Sequence, residues 1–259
     1  MTRLEQLLKL NQWLLEDMPE YQSQVVHFQK NEHSQWQLFR SLVNVREPRS
    51  VSDAFIELQD EFLKKEIEAK GITNIADLTP IQNKIYLWQG DITTRCVDAV
   101  VNAANRGMTG CYCPCHGCID NAIHTFSGIQ LRQECAEIIK RQGYPEPTGQ
   151  AKITKAYNLP CKYVIHTVGP IVDGELTEKH RQQLASCYRS CLELAEKNNL
   201  ESIAFCCIST GKFHFPNREA AKIAVHEIQQ YHRSGGKCSV AFNVFKETDL
   251  KIYKEYLFL

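Results

Sequence analysis

From Lys84 onward, short β-branched runs alternate with longer stretches of helical spacing, and this alternation constrains the fold more than any other feature. The strands are expected at 85–88, 99–102, 151–154, 163–167, 203–208 and 239–245, with helices near 119–141, 178–198, 217–232 and 249–257. Strand, helix, strand in succession implies crossover connections, so the sheet should be mostly parallel and covered by helices on both faces. In such sheets ligands bind beyond the carboxyl ends of the strands, which makes the loops after each strand the place to look for function.

Residues 1–80 have a different character: a single glycine, Gly71, no cysteine, and apolar residues at helical spacing. Leu4, Leu7, Leu8, Leu14 and Leu15 form one stripe that Pro19 terminates, and Trp36, Phe39, Leu42 and Val43 form a second that ends near Pro48. Ser52 is placed to cap a third helix carrying Phe55, Leu58, Phe62 and Ile67, closed by Lys70-Gly71. His27 and His33 are too isolated to suggest a metal site. The expected organisation is a helical extension over 1–80, packed as a cap on an α/β domain over 81–259, with partner docking as the alternative role. A chain of 259 residues, 43% hydrophobic, suits one substantial core with such an attachment.

Three strand-end loops carry polar chemistry: Gly90-Asp91-Ile92-Thr93, Asn102-Ala103-Ala104-Asn105, and the run from Ser209-Thr210-Gly211-Lys212-Phe213 to His214-Phe215-Pro216. The last leads into a helix and can bring backbone N–H groups to phosphate oxygens, a device that needs no net positive charge. Alone, a single glycine after a strand is more often an ordinary turn. Taken with Asp120, His124 and Tyr163-Val164-Ile165-His166-Thr167-Val168-Gly169-Pro170, the set resembles the macrodomain family, an ADP-ribose-binding three-layer α/β/α fold with a mostly parallel mixed sheet, over about 84–258. The resemblance implies that Asp91 holds the adenine amino group and that Ile92 lies beside the base. It places Thr210, Gly211 and Phe213 around the diphosphate, and Asn105 at the distal ribose; Ser209 and Lys212 of the same loop are further binding candidates, Lys212 by neutralising the diphosphate, with a solvated surface lysine as its alternative. Phe245, at the end of the last strand, reads as core, with packing against adenine as the alternative.

The twelve cysteines all lie at or beyond position 96. Met1 leads into an amphipathic segment with no signal-peptide core, and no apolar run is long enough to span a bilayer, so reducing cytosol is the expected compartment. There, cysteine means packing, metal ligation or redox chemistry. Four cysteines and one histidine fall within eight residues, Cys111 to Cys118, and such a density of thiolate and imidazole donors points to a metal independently of any family. The run stands where most hydrolytic macrodomains carry glycines. That replacement resembles a zinc-containing macrodomain subclass, in some cases encoded beside a sirtuin-type ADP-ribosyltransferase, whose members also have a helical N-terminal extension. The resemblance implies Zn²⁺ held by Cys111, His116 and Cys118. Alternating spacing can put Cys111, Cys113 and Cys115 on one face of an extended segment, so leaving Cys113 and Cys115 out rests on the resemblance.

Three protein ligands leave one tetrahedral position open, as catalytic zinc sites do. Asn105 and Asp120 are the expected catalytic residues, Asp120 orienting or activating water; a helix-terminal Asp favoured by the dipole is its alternative. His124 and His166 read as packing histidines, His214 is left open, and Arg106, where the family usually has a small residue, either reaches an anion or obstructs the ribose pocket. The expected activity is removal of mono-ADP-ribose from acidic side chains of proteins. A non-catalytic ADP-ribose reader and a hydrolase of small ADP-ribose esters are the alternatives. Thirty Lys+Arg against thirty Asp+Glu give no support for nucleic acid or an anionic membrane as partner.

Overall fold

In a computed structural model, which describes residues 1–258, the chain begins with three helices, α1 (Arg3–Asp17), α2 (Glu32–Val45) and α3 (Asp53–Lys70). There follow β1 (Thr73–Asn74), β2 (Ile85–Gln89), β3 (Arg95–Cys96), β4 (Ala99–Ala103), α4 (Ile119–Ser127), α5 (Ile129–Gln142), β5 (Ala151–Lys155) and β6 (Tyr163–Thr167). The last elements are α6 (Glu178–Lys197), β7 (Ser202–Phe205), α7 (Asn217–Arg233), β8 (Ser239–Val244) and α8 (Glu247–Leu257).

Six strands form one sheet in the order β2-β8-β7-β4-β6-β5. All neighbours are parallel except β5, which runs antiparallel to β6 along the edge. The central strands are apolar on both faces, with Ala99, Val100, Val101, Val164, Ile165 and Ile203 fully buried, because helices flank the sheet. α6 packs on β5 and β6, α8 on β2 and β8, and α7 lies between α6 and α8; α4 and α5 pack on β4 and β5. No helix among the described residues is long and apolar enough to cross a membrane.

The extension folds as its capping residues dictate. Thr2 and Glu5 form a capping box at α1, Asn31 caps α2 through Ser34 N, and Ser52 caps α3 through Phe55 N. Gly71 ends α3 at φ +85°, a conformation glycine adopts without steric cost. The buried face of α1 is Leu7, Leu10 and Leu14; Leu4, Leu8 and Leu15 are only half-buried. Each fully buried leucine contributes about 2 kcal/mol of transfer free energy. Trp36 packs its ring at a tilt 5.7 Å from Phe126 of α4 and 5.9 Å from Phe62 of α3, so the extension and the sheet domain share one hydrophobic core.

The helix foreseen over 119–141 is two helices, parted at Gly128 with φ +98°, where a Cβ would lie 2.5 Å from Gln130 Oε1 and 2.7 Å from Gln59 Nε2. The strand foreseen over 203–208 stops at Phe205, because Cys206 and Cys207 leave the ladder to line a cavity.

Candidate functional site

The carboxyl ends of β2, β4, β7 and β8 open on a cavity of about 550 Å³. At one end Asp91 caps the short 3₁₀ turn Ile92–Thr94: its Oδ1 accepts from Thr93 N at 3.0 Å and from Thr93 Oγ1 at 2.7 Å. Its Oδ2 accepts from Lys70 Nζ at 2.8 Å. Burial pushes the Asp91 carboxyl up, but the Lys70 ammonium and the Thr93 donors outweigh it and hold the acid below its ordinary range. Phe245 is 74% exposed and lines this end, which overturns its expected place in the core: among the described residues nothing covers the ring at the end of the strand run. Asn243 lines the same wall, donating to Gly90 O while its buried Oδ1 has no partner.

The middle of the cavity is walled by the 206–213 loop. Ser209 at φ +65° and His214 at φ +56° turn the chain through left-handed conformations, and Phe215, fully buried, anchors the turn by donating its N–H to Ser209 O. Gly169 must be glycine here, since a Cβ would lie 2.0 Å from Ser209 Oγ. Ser209 Oγ is buried without a hydrogen-bond partner, and among the described residues the N–H groups of Gly211, Lys212 and Phe213 find no acceptor. A pocket wall of unmatched donors is what an anion requires.

At the far end Gly110, at φ +82°, starts the cysteine loop; a Cβ there would meet the His124 ring at 2.7 Å. Cys111, His116 and Cys118 bring one ligand atom each to within 4.8 Å of one another, and all three line the cavity half-buried. Cys118 also caps α4, its Sγ accepting from Asn121 N. Cys115 turns away, its Sγ 3.4 Å from both Ser41 Oγ and Gln37 O of α2, and Cys113 is exposed. Asn44 of α2 supports the loop: Oδ1 accepts from Cys115 N and Asn121 Nδ2, each at 2.9 Å.

Asn105 and Asp120 stand beside this cluster. Asn105 Nδ2 donates to Gly110 O at 2.8 Å and to Asp120 Oδ2 at 3.4 Å, while its Oδ1 accepts from Gly107 N. Asp120 Oδ1 accepts from Asn102 Nδ2 at 2.8 Å. Burial pushes Asp120 up to about 6, against the opposing effects of Asn102, Arg132 and Asn105. His124 and His166 are buried beneath the site, and burial holds both below the ordinary histidine value. Arg106 is exposed and His214 is exposed; neither is among the residues lining the cavity.

The chain matches the Macro domain family over residues 101–224. It is also 50% identical over 262 residues to a protein of Treponema medium named protein-ADP-ribose hydrolase, spanning 99% of this chain and 100% of that one. The chain belongs to the macrodomain family. A Staphylococcus aureus (strain MSSA476) protein-ADP-ribose hydrolase is 50% identical to this macrodomain over 85% of the chain and 84% of its own length. Among solved structures, the Oceanobacillus iheyensis macrodomain with ADP superposes with a TM-score of 0.61 at 38% identity, covering 66% of this chain and 88% of its own. The Trypanosoma brucei macrodomain in complex with ADP-ribose superposes with a TM-score of 0.64 at 31% identity, covering 83% and 94%.

Every residue singled out for ligand, metal or catalysis in this macrodomain lines the one cavity: Asp91, Ile92, Asn105, Cys111, His116, Cys118, Asp120 and Ser209 to Phe213. The sequence carries no spacing signal for Lys70 or Asn44, which reach the site from separate helices. Lys70 announced itself only as a helix end.

Proposed function

We propose that this macrodomain is a zinc-dependent hydrolase that removes mono-ADP-ribose from modified, acidic side chains of proteins in a glycosidase-type reaction. The observation that carries the proposal is the continuity of the cavity. One volume joins a base-accepting carboxylate, a loop of unmatched donors and a Cys-His-Cys cluster beside Asn105 and Asp120. The names of the Treponema and Staphylococcus relatives support the activity, and the Trypanosoma complex supports the ligand.

In this reading Asp91 accepts from the adenine amine, with the base between Ile92 and the exposed Phe245 ring. The diphosphate lies against Ser209, Thr210, Gly211, Lys212 and Phe213, where free N–H groups and the Ser209 hydroxyl meet it and the Lys212 charge is near. Asn105 is held rigid by its own bonds and keeps one lone pair on Oδ1, which receives a hydroxyl of the distal ribose. Asp120 takes a proton from water as the water oxygen adds to the anomeric carbon and the protein carboxylate departs.

The donors fit zinc: two cysteine sulfurs and one imidazole nitrogen within 4.8 Å of one another are the ligand types of an open three-ligand site. Cys111, His116 and Cys118 would hold the ion, which when bound supplies a positive charge to polarise an oxygen at the ribose. The non-catalytic alternative needs Arg106 to obstruct the pocket, and the exposed position of Arg106 outside the lining does not support it. The proposal extends to a cytoplasmic setting, supported by free thiols throughout the described residues, and to a sirtuin-type ADP-ribosyltransferase as the enzyme that installs the group, supported by the subclass resemblance.

The test is to incubate the protein with a substrate ADP-ribosylated on acidic residues, with and without a strong chelator, and assay free ADP-ribose. Release that chelation abolishes and added zinc restores is expected. No release despite intact zinc and measurable ADP-ribose binding overturns the hydrolase; release indifferent to chelation overturns the metal.

A further inference from the structure

Lys70 ends α3, outside the segment that matches the family, and although it does not itself line the cavity its ammonium backs Asp91, which does. Nζ lies 2.8 Å from Asp91 Oδ2, 3.4 Å from Thr93 Oγ1 and 3.2 Å from the centroid of the Phe126 ring. A lysine in the last turn of a helix is ordinarily solvated. This one is only about one-third exposed, held between an anion and an aromatic face, the two surfaces that best retain an ammonium.

An ionised carboxylate offers about four acceptor positions. The protein fills three on Asp91: Thr93 N and Thr93 Oγ1 on Oδ1, and Lys70 Nζ on Oδ2. One position on Oδ2 remains, and the carboxylate cannot rotate to present another without giving up one of those bonds. We propose that Lys70 is the positioning residue for base recognition, holding Asp91 so that its one free acceptor meets an exocyclic amine and refuses a carbonyl at the same position of the purine. The proposal rests on the reading that Asp91 receives the adenine amine.

The chemistry of the alternative base shows why the tether matters. Hypoxanthine presents a carbonyl where adenine presents its amine, and an N–H at the neighbouring ring nitrogen. A carboxylate free to shift by about one atom can follow that N–H; one fixed on three sides leaves two acceptors facing each other, an unpaired contact that disfavours binding. Without Lys70, Oδ2 has two open positions, hydrates, and gains the freedom to move.

The experiment measures the affinity of the full chain for ADP-ribose and for its inosine counterpart in the wild type, Lys70→Met, Lys70→Arg and Asp91→Asn, each with a melting curve and with KM and kcat. Lys70→Met is expected to weaken ADP-ribose about fivefold, the size of a partly exposed charge-assisted bond, and to leave the inosine compound within about twofold, so that discrimination collapses. KM rises, kcat at saturation is unchanged, and Lys70→Arg restores most of the preference. Equal losses for both compounds with a lowered melting temperature and no rescue by arginine mean a merely structural lysine and overturn the proposal. If Asp91→Asn abolishes discrimination while Lys70→Met keeps it, the adenine reading stands and the role of Lys70 is refuted. If Asp91→Asn keeps the wild-type preference, the adenine reading fails and the proposal falls with it.

Discussion

His166 sits in the middle of β6 with no exposed surface, and its partners assign its proton. Asn102 Nδ2 donates to its Nδ1 at 3.1 Å and to Asp120 Oδ1 at 2.8 Å, which leaves the proton on Nε2, 2.9 Å from Thr154 Oγ1 and 3.7 Å from Cys135 Sγ. The neutral ring is thereby part of the frame that orients Asp120. Burial pushes the His166 pKa down to about 3. An unfolded histidine takes up its proton near 6.5, so between about pH 6.5 and 3 the unfolded chain binds a proton that the folded chain refuses. The stability this group contributes is therefore complete above about 6.5 and is lost as pH falls toward 3, at a limiting slope of ~1.4 kcal/mol per pH unit. Urea midpoints measured from pH 7 to 5 are expected to fall less steeply in His166→Gln than in the wild type. Identical slopes would show that His166 is not the group taking up that proton.

At the scale of elements, the metal-binding candidate loop is braced from outside the sheet domain. Asn44 of α2 accepts from Cys115 N and Asn121 Nδ2 and donates to Thr125 Oγ1, so one side chain ties the loop to the first and the last turn of α4. Asn44→Ala strips the half-buried Cys115 N–H of its acceptor and the buried Thr125 hydroxyl of its donor, which costs about 2 kcal/mol and roughly 4–8 °C in melting temperature for a chain of this size. Under the proposed zinc reading, the same variant loaded with zinc is expected to surrender the ion to a chelator faster than the wild type; unchanged melting and unchanged release would refute the bracing role. The elements differ in how far they were legible. Strands β2, β4, β5, β6 and β8 are marked to within a residue or two by β-branched runs that alternate with helices. The apolar run through Cys206, Cys207 and Ile208 concealed the end of β7, since cavity-lining and ladder residues are equally apolar. Phe245 misled in the opposite sense: hydrophobicity alone does not say whether a partner faces the ring. Cys111, His116 and Cys118 were legible as a local cluster, whereas Asn44 meets Cys115 across 71 residues and Lys70 meets Asp91 across 21, contacts that only tertiary packing creates.

For the whole molecule, the change in composition near residue 80 does not interrupt the packing. Trp36 packs against both Phe62 and Phe126, α3 supplies the cation at Asp91, and β1 pairs with β3 across the junction. The strongest tie is Arg132 of α5, which is 4% exposed and whose Nη1 donates to Asn44 O and Arg46 O, each at 2.7 Å. Removing residues 1–70 deletes both acceptors and opens the surrounding apolar surface, including Phe126 at 7% and Ile129 at 8% exposure, to water. Arg132 is left to water, and exposing several buried apolar side chains at about 25 cal/mol per Å² costs several kcal/mol, a large share of the ~5–15 kcal/mol that holds a domain folded. Residues 71–259 expressed alone are therefore expected to show no cooperative melting transition and to precipitate, even with excess zinc and ADP-ribose present. Circular dichroism melting and gel filtration of that fragment decide the matter. A soluble monomer with a sharp transition and wild-type ADP-ribose affinity would mean that the helices are dispensable to both the core and the base site.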